Sequence, residues 1–480
     1  ESSLDNVDPA DISSISVLKD AASAAIFGSK AANGVILVET KSGVAGKPVI
    51  SYSSYVGKDR PTFIPEMINS WEYAEVINSI NPGTYSEEAI QKYKAGNDPN
   101  YPNFDHIKYL FESGKGIETK QNVSVSGGAP AARYLFSFGY FNNQAIIMKN
   151  NSERFDLRLN LDSKISEKLR FNVKLSGLMD NSKEPSSAYS SGVGGIVLGA
   201  MRNANLIPGR TPDGFWGRNE TLHPEADLNS KSFVKNLAYS FYSNGQLIWD
   251  ITDNFKITSQ AGYTFGNSQN LNFRAKYPVT PSYGVTLNTL TDRWAQGNSL
   301  TLRALADYDK SFGNHSFHLL GGIERISNSS KSVSAYRDDF PNNEIYVIDA
   351  GATVRGRQNG SAAKNTLASY FGRLNYNFNE RYLFEANLRY DGSSRFPADR
   401  RWGAFPSFSA GWRISQEGFF QNAVSWMSEL KIRGSWGVLG NQSIGNYPYQ
   451  NLLTLGLNYP FGNQLSAGTA ITTVPNKEIT

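Results

Sequence analysis

Charged side chains recur at two-residue spacing late in the chain, and that spacing limits the chemistry open to them. Successive strand side chains point to opposite faces, so residues two apart stand side by side on one face. Arg389, Asp391 and Arg395 therefore form a ladder, and Arg373, Arg381, Glu385, Arg413, Lys431 and Arg433 occupy matching positions nearby. Such a ladder can grip a polar partner through charge-assisted hydrogen bonds, but it is not a catalytic set. The four histidines, His106, His223, His315 and His318, read as solvated. His315 and His318 flank a turn and a strand start without nearby acids, a poor geometry for a metal. No H-E-x-x-H, G-x-S-x-G or P-loop occurs. These residues predict no enzyme, no cofactor and no metal.

A second group lies in segments that read as loops. Pro208-Gly209-Arg210-Thr211-Pro212-Asp213-Gly214-Phe215-Trp216 is one, and Tyr336-Arg337-Asp338-Asp339-Phe340 is the other. An aromatic face beside a carboxylate or guanidinium suits a sugar ring, by stacking and by hydrogen bonds to hydroxyls. Phe215, Trp216, Arg337 and Asp338 are therefore the candidate substrate-binding residues. Packing of loop against loop, or against another protein, is their alternative use.

The elements that position these residues are strands. Tyr382, Phe384, Ala386, Leu388 and Tyr390 share one face, and Arg381, Glu385, Asn387, Arg389 and Asp391 share the other. The same alternation predicts strands near 49–56, 119–127, 133–141, 153–163, 168–180, 236–252, 254–267, 298–310, 315–328, 366–378, 381–395, 404–415 and 429–439. Repeated segments of about 10 alternating residues are the mark of a membrane-spanning β-barrel. Connection lengths alternate too. Short links fall at 128–132, 164–167, 252–254, 311–314 and 379–380, and long ones at 57–118, 142–152, 181–235, 268–297 and 329–365; the link at 416–428 falls on the short side by order but is longer than the others there. Outer-membrane barrels have short periplasmic turns and longer external loops, whereas a soluble sandwich does not sort loops by end.

Composition agrees. The chain has 480 residues with 25 Tyr, 27 Phe, 43 Gly and no Cys, so the fold uses no disulfide. Mean hydropathy is −0.41, and no apolar run is long enough for a transmembrane helix. A barrel strand needs apolar residues only at every second position, so low hydropathy is no obstacle. The net charge of +4 is too balanced to suggest nucleic acid as a partner. Ahead of the strands, Ile12, Ile15, Leu18, Ala22, Ala25 and Ile26 recur at helical spacing, which predicts a helix over 11–33. Gly34-Val35-Ile36-Leu37-Val38-Glu39-Thr40 then reads as a short buried strand.

Several long motifs together resemble the SusC/RagA-type TonB-dependent outer-membrane transporters of Bacteroidota. The first comprises Val17-Leu18-Lys19-Asp20-Ala21-Ala22, Phe27-Gly28-Ser29-Lys30-Ala31-Ala32-Asn33-Gly34-Val35-Ile36 and Thr40-Lys41-Ser42-Gly43. The second is Asn122-Val123-Ser124-Val125-Ser126-Gly127-Gly128. The third runs from Asp391-Gly392-Ser393-Ser394-Arg395-Phe396 through Phe405-Pro406-Ser407, Gly411-Trp412-Arg413-Ile414 and Glu417 to Leu430-Lys431-Ile432-Arg433 and Gly440-Asn441-Gln442. Phe27 and Lys30 stand where the family more often has Tyr and Arg, and Val438-Leu439 where small residues are usual.

The resemblance implies an all-β transmembrane antiparallel barrel with an N-terminal α/β plug remnant. Residues 1–47 would be the C-terminal part of the plug and 48–480 the N-terminal part of the barrel, with thirteen strands of about 22. It further implies nutrient import in the outer membrane, energy from TonB, a SusD-like surface lipoprotein as lid, and an oligosaccharide or a peptide as cargo. Lys19 and Asp20 of the plug, and Arg389, Asp391, Arg395 and Arg413 of the wall, become candidate plug–barrel or lumen contacts. Two rival expectations are a secreted or surface β-rich glycan-binding module and an outer-membrane enzyme. The first needs its apolar faces buried against each other, and the second needs a clustered catalytic set.

Overall fold

The computed structural model describes residues 7–19, 28–29, 34–187, 192–219, 223–424 and 426–479. Ile12–Leu18 (β1) and Val35–Thr40 (β2) pair antiparallel as a small separate hairpin. The expected helix is thus replaced over Ile12–Leu18 by a strand. The reason is local: Ser14-Ile15-Ser16-Val17 alternates and is β-branched, and that period outweighs the sparser helical spacing. The remainder of the expected helix lies largely outside the described residues, and so does Asp20. β2 is not buried; Ile36 and Leu37 stand exposed.

Thirteen strands form one antiparallel sheet in strict chain order. Gly46–Lys58 (β3), Ile117–Ala129 (β4), Ala132–Gln144 (β5), Asn151–Ser166 (β6) and Leu169–Pro185 (β7) come first. Phe233–Thr252 (β8) and Phe255–Arg274 (β9) follow, and a small hairpin of Tyr277–Thr280 (β10) and Tyr283–Val285 (β11) interrupts the series. The sheet resumes with Thr289–Phe312 (β12), His315–Asp338 (β13), Ala352–Phe378 (β14), Tyr382–Ser393 (β15), Trp402–Arg413 (β16) and Lys431–Gly437 (β17). Each is one of the expected strands. Three of them run much further than expected, because β12, β13 and β14 contain 24, 24 and 27 residues. About 9–11 residues cross a bilayer, so these strands project far beyond it. The extra length reads as loop in sequence because both faces turn polar once the strand leaves lipid, while the hydrogen-bond ladder simply continues. Most of 329–365 is therefore strand rather than loop.

The sheet is inside out relative to a soluble protein. Phe136, Phe138, Leu157, Leu159, Tyr239, Phe241, Leu300, Leu302, Tyr370, Leu388 and Phe408 are all exposed, while the opposite face buries Asn122, Ser137, Arg158, Asn160, Glu324, Asn387 and Ser407. An apolar face this wide and uncovered has to meet lipid. Aromatic rings border it at two levels. At the turn end, Phe378, Tyr382 and Trp412 stack in series, and the Phe317–Tyr376 pair joins them through the His315 ring. At the far end Tyr370 and Tyr390 both stack on Trp402. Tyr382 and Tyr390 lie eight residues apart on one strand. At ~3.4 Å per residue and a tilt near 40°, that spans about 20 Å of bilayer, close to the usual height of ~25 Å.

Compact apolar cores sit in the long connections instead. The helices His106–Phe111, Val193–Arg202 and Pro224–Asn229 pack Ile107, Leu110, Ile196, Ala200 and Leu228 together with Ile147. Phe233, Phe273, Ala275, Leu290 and Phe340 make a second cluster. These cores bury His106 and His223, so neither is solvated. His106 Nδ1 lies 2.6 Å from Glu225 Oε1. Tyr277 donates its hydroxyl to Asp227, and burial together with that carboxylate pushes the phenol pKa up.

Candidate functional site

Register builds the site. Arg303 on β12 pairs with Glu324 on β13, Glu324 with Ser369 on β14, and Ser369 with Asp391 on β15. Directly opposite residues on one face lie ~5 Å apart, so four strands set four polar side chains in a row across the inner wall. Arg389 stands beside the row and joins it. Its Nε donates to Asp391 Oδ1 at 2.7 Å, and its second guanidinium nitrogen donates to Glu324 Oε1 and Ser369 Oγ, each at 2.8 Å. Arg303 Nε donates to the other Glu324 oxygen at 2.8 Å. Arg389 and Asp391 are each only 3% exposed, so these charges are offset within the wall.

The free oxygen of Asp391 reaches the plug. Ser29 N–H donates to Asp391 Oδ2 at 2.9 Å, across 362 positions of sequence. Gly28 has φ of +56°, and a Cβ built there would stand 2.4 Å from the same Asp391 oxygen and 2.5 Å from Arg389 Cδ. Only glycine lets the plug backbone come this close. Two motifs noted separately in sequence, the one that carries Gly28-Ser29 and the one that carries Asp391, supply the two halves of one contact. Gly440-Asn441-Gln442 belongs to it as well, since Gln442 N–H donates to Ser29 O at 3.4 Å.

The plug carboxylates Asp8 and Asp11 go elsewhere. Asp8 accepts from Lys120 Nζ at 2.6 Å and Asn122 Nδ2 at 3.3 Å, and Asp11 accepts from Arg158 Nε at 2.9 Å. Asn160 Nδ2 donates to Lys41 O at 2.6 Å. A Cβ on Gly43 would strike the Tyr134 backbone at 2.5 Å, so the chain leaves the plug pressed against β5. Asp8, Asp11, Lys120 and Arg158 were missed by sequence reasoning. Their signal was available: Arg158 and Asn160 alternate with Leu157, Leu159 and Leu161 on β6, as Arg389 and Asp391 do on β15.

The other expected residues are placed as follows. Arg395 lies past the end of β15, so it is not part of the strand ladder; it donates to Gln442 O at 2.5 Å. Arg413 stays at the turn end, 3.4 Å from Glu380 O and 3.8 Å from Glu429. Lys19 is exposed just after β1. Trp216 has the Arg210 guanidinium 3.6 Å from its ring centre, and its backbone N–H donates to Val279 O at 3.0 Å. Phe215 O accepts from Thr211 N–H at 2.8 Å. Asp338 is 1% exposed and holds Arg355 Nε at 2.7 Å, and half-buried Arg337 packs on Gly351 and Gly356. His315 is 2.8 Å from Tyr376 Oη. His318 does have an acid beside it, Asp307 at 3.3 Å, supplied by the neighbouring strand and so invisible to local reading. Among the described residues no group of three or more ligands could hold a metal ion.

An antiparallel sheet with lipid-facing aromatics outside and a polar wall gripping a small hairpin inside defines a plugged outer-membrane barrel. Comparison with known proteins agrees. Residues 180–477, more than half the chain, match the model of the family described as TonB dependent receptor-like, beta-barrel, and the chain belongs to that family. Its members are receptors and transporters, not enzymes. The chain is 29% identical to TonB-dependent receptor SusC of Bacteroides thetaiotaomicron over 96% of its own length and 46% of that protein's. It is 30% identical to TonB-dependent receptor P26 of Formosa agariphila over 94% of its length and 45% of that protein's. The chain thus spans about half the length of the curated relatives it matches. In fold it is similar to the RagAB peptide importer in its closed-closed state, with a TM-score of 0.81 at 24% identity, covering all of this chain and 56% of that one. The resemblance to the SusC/RagA type therefore holds in both sequence and fold.

Proposed function

We propose that this chain is the plug-end and leading barrel wall, residues 1–47 and 48–480, of a transporter that imports a bulky nutrient across the outer membrane. Cargo binds at the long external connections, under a SusD-like surface lipoprotein. TonB then pulls on the plug, and the polar wall releases it. The observation that carries this reading is the contact between Gly28-Ser29 and Asp391. A purely structural barrel wall does not need a backbone cradle for a separate hairpin. No bond in the cargo is made or broken. The wall supplies hydrogen bonds that hold the plug at rest and are re-formed afterwards.

An oligosaccharide is the cargo favoured by Phe215 and Trp216 beside Arg210 in a long outer connection. A peptide is the second reading, favoured by the fold likeness to a protein described as a peptide importer. The test is deletion of the full-length gene in its host, with uptake of labelled oligosaccharide and oligopeptide pools measured with and without TonB. Loss of one uptake, dependent on TonB, names the cargo. Unchanged uptake of both pools would sink the transport reading.

A further inference from the structure

The plug contact at Ser29 has a second side, and it is supplied by the outer connection that follows β17. Asp391 takes the Ser29 N–H, while the Ser29 carbonyl oxygen accepts from Gln442 N–H at 3.4 Å. Gln442 is itself fixed. Its carbonyl oxygen accepts from Arg395 Nη1 at 2.5 Å and from Ile444 N–H at 2.8 Å. Asn441 Oδ1 accepts from Ser443 N–H at 2.8 Å. Residues 441–444 are thus closed by an Asx turn and a tight backbone turn, so they move as a unit and not as slack chain. Among the described residues no hydrogen bond joins Arg395 to Ser29 or to Asp391, so its reach into the plug runs through Gln442.

Five residues after Gln442 the same connection is tied down again, on the outer part of β14. Tyr447 Oη donates to Lys364 O at 2.5 Å. Two residues along β14, Thr366 turns both its N–H and its C=O to Ser394, just past the end of β15. Peptide groups of alternate strand residues point to the same side, so Lys364 presents its carbonyl on that edge too. The last β15 pairing is Leu367 with Ser393, and beyond it, from Ala352 to Thr366, no strand lies beside this edge among the described residues. Tyr447 anchors the connection there in a strained conformation. Its φ is +55°, a left-handed backbone that costs free energy for a bulky residue and persists only where surrounding contacts hold it. Those contacts are the bond to Lys364, a turn closed by Gln450 N–H on Tyr447 O at 3.0 Å, and the Tyr449 ring set edge-on.

We propose that Arg395 and Tyr447 are positioning residues of the plug latch, and that residues 441–447 are the strap through which both act. Arg395 sets the Gln442 N–H on the Ser29 carbonyl, and Tyr447 holds the strap against the outer end of β14. Ser29 is then gripped through its N–H by the wall and through its C=O by the strap. A pull that lifts Tyr447 from Lys364 slackens Ser29 without touching Ser29 or Asp391. The latch therefore answers to the outer surface as well as to TonB. This rests on the plugged-transporter reading above, and the experiment separates the two.

Amide exchange is followed by mass spectrometry in the full-length receptor in nanodiscs, on peptides covering Ser29 and, separately, β15. Uptake of the labelled oligosaccharide and oligopeptide pools by wild-type cells, with and without TonB, is measured in parallel. Tyr447→Phe removes only the hydroxyl and should speed exchange at Ser29 about 2- to 12-fold, the span of one neutral hydrogen bond, with β15 at its wild-type rate. Arg395→Ala should speed Ser29 exchange at least as much, and Arg395→Lys, which still donates to the Gln442 carbonyl, should restore most of the protection. Wild-type exchange at Ser29 in Tyr447→Phe overturns the strap. Equal acceleration of Ser29 and β15 in Arg395→Ala overturns it as well, because Arg395 then only supports the wall. Uptake that is unchanged without TonB would count against the transporter reading instead and would leave the exchange results standing.

Discussion

Replacing Asp391 by alanine tests the plug contact most directly. The carboxylate accepts two hydrogen bonds, from Ser29 N–H at 2.9 Å and Arg389 Nε at 2.7 Å, in a site 3% exposed. Removing one member of a buried ion pair costs about 3–5 kcal/mol when the other is left alone. Arg389 keeps Glu324 and Ser369, so the wall itself should lose less, about 1–3 kcal/mol, and should still assemble. The plug loses one hydrogen bond to a charged acceptor, about 1.5–3 kcal/mol, which corresponds to roughly 10- to 150-fold more frequent opening at Ser29. Hydrogen exchange at the Ser29 amide in the full-length receptor reads that factor, and entry of a bulky antibiotic into cells reads its consequence. The expected outcome is faster exchange, increased antibiotic entry and lowered nutrient uptake, with normal surface expression. Asp391→Asn keeps an acceptor for Ser29 and should fall between. Unchanged Ser29 exchange with unchanged permeability would refute the latch and leave Asp391 as a wall residue that only balances Arg389.

Gly28→Ala should mimic this loss, because its Cβ would sit 2.4 Å from Asp391 Oδ2 at a φ that disfavours alanine; the same antibiotic assay checks it. Leu374 lies on the lipid face midway between Phe378 and Tyr370, so Leu374→Arg should cost about 2–4 kcal/mol in refolding into lipid vesicles, and a cost near zero would remove β14 from the bilayer. Arg158→Ala should release Asp11 and raise exchange in β1 while leaving Ser29 protected, which a uniform rise along the plug would contradict. Glu417 accepts from Trp412 Nε1 at 3.1 Å, Tyr382 Oη at 2.8 Å and Arg381 at 3.0 Å, and these donors hold its carboxyl pKa below the usual range. A lowered folded-state pKa means the stabilisation is complete above the unfolded value of ~4.3 and fades as pH falls through the lowered one. The unfolding temperature should therefore drop in that acid window, and Glu417→Gln should remove the step.

How much of this was legible in the sequence depends on whether the information was local. Each of the thirteen strands was marked by its own alternation, because lipid on one side and a polar wall on the other impose a period of two on every residue pair. Tyr382, Phe384, Leu388 and Tyr390 could therefore be assigned to lipid, and Arg389 and Asp391 to the interior, before any coordinates. Strand ends were less legible: β13 and β14 leave the bilayer near Ile323 and Tyr370, and beyond that point neither face has a hydrophobic preference to report. The plug segment Ile12–Leu18 misled because seven residues carry both periods weakly. Partners were not legible at all. Nothing local to Asp391 says that its second oxygen meets the Ser29 N–H, or that Asp11 finds Arg158 and His106 finds Glu225. Those pairings depend on register across several strands and on loops folding over each other, and only the tertiary structure sets distances between residues hundreds of positions apart.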